Sequence, residues 1–358
     1  MSVPPGRRSP ALYLSMSAVV FLALTDCDGD PTGFLPGDEP SLTVTGVQAD
    51  CLDFSRSGVL GLGLLIRDSD GDVVTDPDDV EIEAAVTEVD GLDPTLFTMT
   101  LVDAEGQAPD ARPLAAAIDI DDSASMEDND PTNRRAAAAQ AFWEAVLPVD
   151  PDNEVALFDF CEACATTPGF TSTRLLQDFT RDTDALENAL DEIMAFSGSP
   201  LYGSVIDVVG FVNTERPAAN FRRSILLMSD GMPDDEGLRD DAIAAAQAAG
   251  IPVNTVGLGP AAATSSDADI DAVIRMCELA SETGGVYASA ARANDLVSAS
   301  EALGQAAAEG QIIAFFDIDP IPDPGSTLRG TVAVRVDGEV LIEEWTFRLP
   351  PVLVALDD

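Results

Sequence analysis

Between residues 113 and 310 short apolar runs alternate with longer amphipathic ones, an order that few folds accommodate. The segments "PLAAAIDID", "EVALFDF", "RRSILLMSD" and "IPVNTVGLG" read as buried strands, and "GGVYASA" as a shorter one. Around them, "NRRAAAAQAFWEAVL", "DTDALENALDEIM", "LYGSVIDVVGFVN", "EGLRDDAIAAAQAAG", "DIDAVIRMCELASET" and "ANDLVSASEALGQAAAE" read as helices. In the second of these, Leu186, Ala189, Leu190, Ile193 and Met194 share one face, and Gly250 supplies a stop for the fourth. Such alternation predicts an α/β domain: a mostly parallel central sheet with helices on both faces.

The flanks change to a β pattern. "GLGLLIRDSDGDVVTDPDDVEIEAAV" reads as two strands joined through an Asp-Gly turn, and "LVDAEGQ" as a further turn. "TVAVRVDGEVLIEEWTFRLP" is also built around an Asp-Gly turn. The string "DSDGD" has the composition of a calcium loop but not its spacing, because Val73 stands where the required glycine belongs; it reads as a turn. The expected organisation is a signal peptide over residues 1–26, a flexible tether over 27–40 and a β-rich segment of immunoglobulin-like sandwich character over 41–112. The α/β domain follows over 113–310. An extension over 311–358 packs with 41–112, because the two ends of such a domain lie close together.

Arg7 and Arg8 precede an apolar run over 11–24 that is short for a membrane span, the layout of an export signal. "LTDC" then ends at Cys27 and resembles a bacterial lipobox, with Asp26 departing from the small residue usual before the cysteine. The resemblance implies lipid on Cys27, a location in the bacterial cell envelope, and contact with the membrane only through that anchor. Cys51, Cys161, Cys164 and Cys277 remain, and allow three pairings if all are oxidised. "CEAC" can close a local Cys161–Cys164 bridge, whereas Cys277, within a helical pattern, reads as a buried thiol.

Ligands of open α/β sheets bind at the carboxyl ends of the strands. Three polar clusters fall there: Asp121, Ser123 and Ser125 after the first strand, Ser199 in "SGSPLYG", and Asp230 in "LLMSDGMPD". Two carboxylates and three hydroxyls form an all-oxygen donor set suited to a hard cation, Mg²⁺ or Mn²⁺. At these residues the chain resembles a von Willebrand factor type A domain with its metal-ion-dependent adhesion site. Asp121, Ser123 and Ser125 fit the Asp-x-Ser-x-Ser signature, Ser199 stands where the family usually has Thr, and Asp230 fits the Asp of "LLTDG". "LASETGGVYASA" also resembles the family's penultimate helix and following strand. The resemblance implies metal-dependent protein binding, with an Asp or Glu of a partner protein completing the coordination. Asp122, Glu127, Asp128 and Asp130 read as a solvated acidic rim.

Other chemistries fit less well. Asp119-x-Asp121 also resembles the nucleophile loop of haloacid-dehalogenase-type phosphatases, which would make Asp119 the nucleophile. That chemistry usually relies on a Lys, and this chain has none; it also has no His, which removes the usual Ser-His-Asp and Cys-His arrangements. The expectation is a binding protein and not an enzyme, with a metal-free structural scaffold of the envelope as the alternative.

Charge bears on partners and on stability. The 358 residues carry 64 Asp and Glu against 18 Arg, a net charge of −46 that disfavours nucleic acid and anionic lipid surfaces. Removing residues 1–26 takes away two Arg and one Asp and leaves −47. Self-repulsion of this size predicts that added salt raises the melting temperature through screening. Thermal melts from low to molar salt test this, and a flat response would show that the charges are compensated locally.

Overall fold

A computed structural model describes residues 40–349, apart from 50, 52–56, 166, 194–197, 264, 266, 267 and 324. The export segment, the tether up to residue 39, which includes Cys27, and Met194 lie outside the described residues. The strands are β1 (Ser41–Ala49), β2 (Val59–Arg67), β3 (Glu81–Val89), β4 (Thr98–Gln107), β5 (Leu114–Asp121), β6 (Glu154–Phe160), β7 (Thr173–Thr180), β8 (Arg222–Ser229), β9 (Val253–Leu258), β10 (Tyr287–Ala290), β11 (Gln311–Asp319), β12 (Thr327–Val336) and β13 (Glu339–Arg348). The α-helices are α1 (Met126–Asn129), α2 (Arg134–Val146), α3 (Thr183–Leu190), α4 (Leu201–Glu215), α5 (Arg239–Ala249), α6 (Ile270–Thr283) and α7 (Ala293–Glu309).

Ten strands form one sheet in the order β4-β11-β2-β1-β10-β9-β8-β5-β6-β7. Its core, β10-β9-β8-β5-β6, is parallel, as the buried apolar strands and intervening helices predict. Two apolar layers cover it. Leu201, Val205 and Val208 of α4, Ala242 and Ala246 of α5 and Met276 of α6 pack on one face. Phe142 and Trp143 of α2, Leu186 of α3 and Leu303 of α7 pack on the other. Gly250, with φ 64, ends α5 in the left-handed conformation that glycine adopts without a Cβ penalty.

The flanking strands join this core. β1, β2, β4 and β11 extend the sheet through antiparallel pairs, while β3, β12 and β13 form a separate three-stranded sheet. That small sheet contributes Ile82, Val332, Val334 and Phe347 to the same apolar layer as Leu62 and Leu64 of β2.

Several local expectations change. The hairpin expected between β2 and β3 does not form, since β2 pairs with β1 and β11 and β3 with β12. "LVDAEGQ" runs within β4 and contains no turn. The hairpin around Asp337 and Gly338 does form, joining β12 to β13 with both turn residues at positive φ. "DSDGD" is a turn, in which Asp68 Oδ1 accepts from the amides of Asp70 and Asp72, each at 2.9 Å.

The expected bridge between Cys161 and Cys164 is present, with S–S 2.01 Å. Cys277, expected as a free buried thiol, is instead bonded to Cys51, because α6 lays it against the end of β1. This bond spans 226 residues and ties the N-terminal strands to the α/β core. Cross-links that close long loops restrict the unfolded chain strongly. Replacing both Cys51 and Cys277 by Ser is therefore expected to cost about 2–5 kcal/mol. Thermal melting without reductant measures this, and an unchanged melting temperature would remove the bond from the stability account.

Candidate metal-binding site

β5 and β8 are parallel neighbours in a register that sets Ile120 beside Met228, so Asp121 and Ser229 end the two strands side by side. Asp230 follows directly. Asp121 accepts at Oδ1 from the Ser123 amide (2.9 Å), and at Oδ2 from Ser229 Oγ (2.6 Å) and Ser199 Oγ (3.4 Å). Ser123 Oγ and Ser125 Oγ lie 3.0 Å apart. Asp230 accepts from Asn129 Nδ2 at 2.9 Å and from the Met232 amide at 3.2 Å. The three sequence clusters thus converge at one edge of the sheet. Asp121, Ser123, Ser199 and Asp230 are buried there, and Ser125 is half-buried.

Neither Asp121 nor Asp230 forms an ion pair among the described residues. Burial, with the charge of Asp230 adding to it, raises the Asp121 pKa above its ordinary value. Two buried carboxylates facing neutral hydroxyls and amides lack a positive partner, and a hard divalent cation suits that donor set. The residues present therefore fit a metal of the Mg²⁺ or Mn²⁺ kind.

The neighbouring acids differ from their sequence reading. Asp122 and Asp130 are buried, not rim residues, because Arg135 folds back between them. Asp130 also accepts the amides of Arg134 (2.7 Å) and Arg135 (3.0 Å), capping α2 in place of Asn133, whose φ of 51 is left-handed. Glu127 and Asp128 are exposed, as a rim requires. A second buried group, Asp122, Asp159 and Cys164, has metal-ligand atoms close together. It is a poor metal site, since Arg135 and Arg174 balance its carboxylates and Cys164 is locked in a disulfide.

Residues absent from the sequence reading hold the site. Ser229 and Asn129 bind the two carboxylates directly, and the hydroxyl in "MSDG" was the available signal for the first. Arg135 donates to the backbone carbonyl of Asp121. One layer below, Asp119 is wholly buried and accepts from Ser204 Oγ of α4 at 2.7 Å.

Asp119 generates a prediction. Burial, with Asp159 and Asp121 nearby, pushes its pKa up to about 8 from an ordinary 3.8. Between those values the folded chain keeps the proton that the unfolded chain releases, so this group's share of stability falls as pH rises from about 4 to 8. Asp119→Asn keeps an acceptor for Ser204 and removes that fall. In chelator-treated protein the variant is expected to gain stability over wild type with rising pH, as read by denaturant melts. Parallel pH profiles would refute the assignment.

Comparison with known proteins places these elements. Residues 117–300, just over half of the 358, match the von Willebrand factor type A domain family. No curated protein sequence matches the chain. Among solved structures it is similar to a von Willebrand factor type A protein from Catenulispora acidiphila, at 11% identity and a TM-score of 0.44, covering 77% of this chain and 74% of that one. The corresponding domain of the type V pili tip protein Mfa5 from Porphyromonas gingivalis shows 15% identity and a TM-score of 0.42, covering 55% of this chain and 95% of that one. The pilus adhesin SpaC from Lactobacillus rhamnosus GG shows 10% identity and a TM-score of 0.45, covering 78% of this chain and 49% of that one. The match over 117–300 carries the assignment: the chain belongs to the von Willebrand factor type A domain family.

Proposed function

We propose that this protein is a cell-envelope binding module whose Asp121, Ser123, Ser125, Ser199 and Asp230 hold Mg²⁺ or Mn²⁺ and whose partner protein presents an Asp or Glu. The observation that carries this reading is the burial of Asp121 and Asp230 at the neighbouring ends of β5 and β8, with no ion-pair partner among the described residues. When bound, the ion supplies a positive charge with a coordination position for an external carboxylate. The two carboxylates contribute the anionic ligands. The three serines contribute neutral ones, so part of the cation's charge is left to attract the partner.

The reading is non-catalytic. Asp119, the residue a phosphatase would use as nucleophile, lies within β5 two residues before its end, fully buried and held by Ser204 of α4. Display on the envelope rests on the lipobox-like "LTDC" and proposed lipid at Cys27. Among the described residues no helix is long and apolar enough to cross a membrane. A metal-free scaffold is the second reading, favoured by the neutral donors that already satisfy Asp121 and Asp230.

Calorimetry with Mg²⁺ separates the two readings. Wild type is expected to bind one ion tightly, above a diffuse background from the acidic surface, and Asp121→Ala to lose that site while Asp119→Asn retains it. Partners captured from an envelope extract are expected to be released by chelator. Equal uptake by wild type and Asp121→Ala would sink the metal assignment, and chelator-resistant capture would favour the scaffold.

A further inference from the structure

Ser199 has its hydrogen-bond partners far along the chain, in Asp121 and Asp234. It lacks the β-branch that restricts a threonine rotamer. The residue after it, Pro200, stands at the N-cap of α4 and offers no side-chain acceptor to the free amides of the first turn. The support comes from elsewhere. Asp235 Oδ2 accepts from the Gly203 amide at 2.7 Å, and Oδ1 from the Tyr202 amide at 3.3 Å. Asp234 binds Ser199 twice: its Oδ2 accepts from the Ser199 amide at 2.8 Å, and its own amide donates to the Ser199 carbonyl at 2.9 Å.

Both acids lie in the loop that leaves β8 through Asp230. One loop therefore carries a ligand carboxylate and, four and five residues later, grips Ser199 and the first turn of α4 that follows it. Glycines make the approach possible. A Cβ on Gly203 would lie 2.2 Å from Ser172 Oγ and 3.2 Å from Asp235 Oδ2. Gly198 has φ 77, and a Cβ there would lie 2.4 Å from Glu162 Cβ and 3.3 Å from Asp234 Oδ2. Neither Asp234 nor Asp235 has an arginine partner among the described residues, so their charge is directed at the Ser199 amide and at amides in the first turn of α4.

We propose that Asp234 and Asp235 are positioning residues that clasp the Ser199 loop to the Asp230 loop and so preorganise the hydroxyl of Ser199 for the cation. This rests on the metal-binding reading above. Residues that orient metal ligands from outside the coordination sphere typically change affinity by about 10-fold to 100-fold when removed.

The test compares wild type with Asp234→Ala, Asp234→Asn and Asp235→Asn by Mg²⁺ calorimetry, and by hydrogen exchange over residues 198–204 in chelator-treated protein. Asp234→Ala is expected to weaken Mg²⁺ binding by about 10-fold to 100-fold and to speed exchange of the Ser199 amide. Asp234→Asn, which keeps an acceptor for that amide, is expected to restore most of the affinity. A purely structural role would lower the melting temperature of Asp234→Ala without changing affinity, and that result overturns the proposal. If Asp234→Ala does not fold, Asp235→Asn, which loses one of two acceptors, is expected to show a smaller loss of affinity; unchanged affinity there overturns the proposal equally. Tight binding by wild type and all variants removes the clasp and leaves the metal site standing. Absence of the tight site in wild type removes both.

Discussion

Two carboxylates buried next to each other at the carboxyl edge of an apolar sheet are the constraint around which this site is organised. The parallel register of β5 and β8 puts Asp121 beside Ser229, one residue before Asp230, so the two carboxylates leave neighbouring strand ends. At the effective dielectric of a protein, like unit charges 4 Å apart repel by about 4 kcal/mol. A hydrogen bond to a charged group contributes about 1.5–3 kcal/mol net, and Ser229, Ser199 and Asn129 therefore soften the arrangement without neutralising it. A divalent cation reverses the sign of the local field. In the proposed site the same logic favours hydroxyls for the remaining donors: further carboxylates would consume the charge with which a bound ion would attract an outside partner.

The sequence reveals elements more readily than partners. Apolar runs and helical periodicity identify the alternating core, and the three polar clusters are visible because each lies directly at a strand end or a helix entry. Strand pairing is less visible, as β2 and β3 illustrate. Their Asp-Gly turn suggests a hairpin, yet β2 is a nearly unbroken apolar run buried along most of its length, whereas β3 has a more exposed, one-sided pattern. A continuous run belongs inside a large sheet and an alternating one in a half-covered sheet, so the contrast already separates them. β7, antiparallel at the far edge, carries no comparable signal in "TRLLQDFT". The supporting residues of the site are hidden for another reason. Asn129, Asp234 and Asp235 act on residues 101, 35 and 32–33 positions away, and only the fold brings those loops together. Asp130 shows the converse: it looks like a solvated acid until Arg135, five residues on, covers it.

The placement of the few cations extends this argument to the whole domain. Arg222 donates to the carbonyls of Ala307 and Ala308 at the end of α7, and Arg223 to that of Ala249 at the end of α5. Arg181 donates to the Leu147 carbonyl just beyond α2. None of the three forms an ion pair among the described residues; each meets the negative end of a helix at the amino edge of the sheet. At the opposite edge, Asp130, Asp235 and Asp269 meet the amides at the starts of α2, α4 and α6. Both distributions follow the helix dipoles, while Arg135 and Arg174, paired with Asp130 and Asp159, stand among the acids of the carboxyl edge. Helix amides can serve the capping acids at their own termini, but Asp121 and Asp230 lie at the strand ends and bind mainly hydroxyls and a side-chain amide. The polarity that stabilises the helices thus gathers acids at the edge where Asp121 and Asp230 lie, and neither of these two forms an ion pair among the described residues.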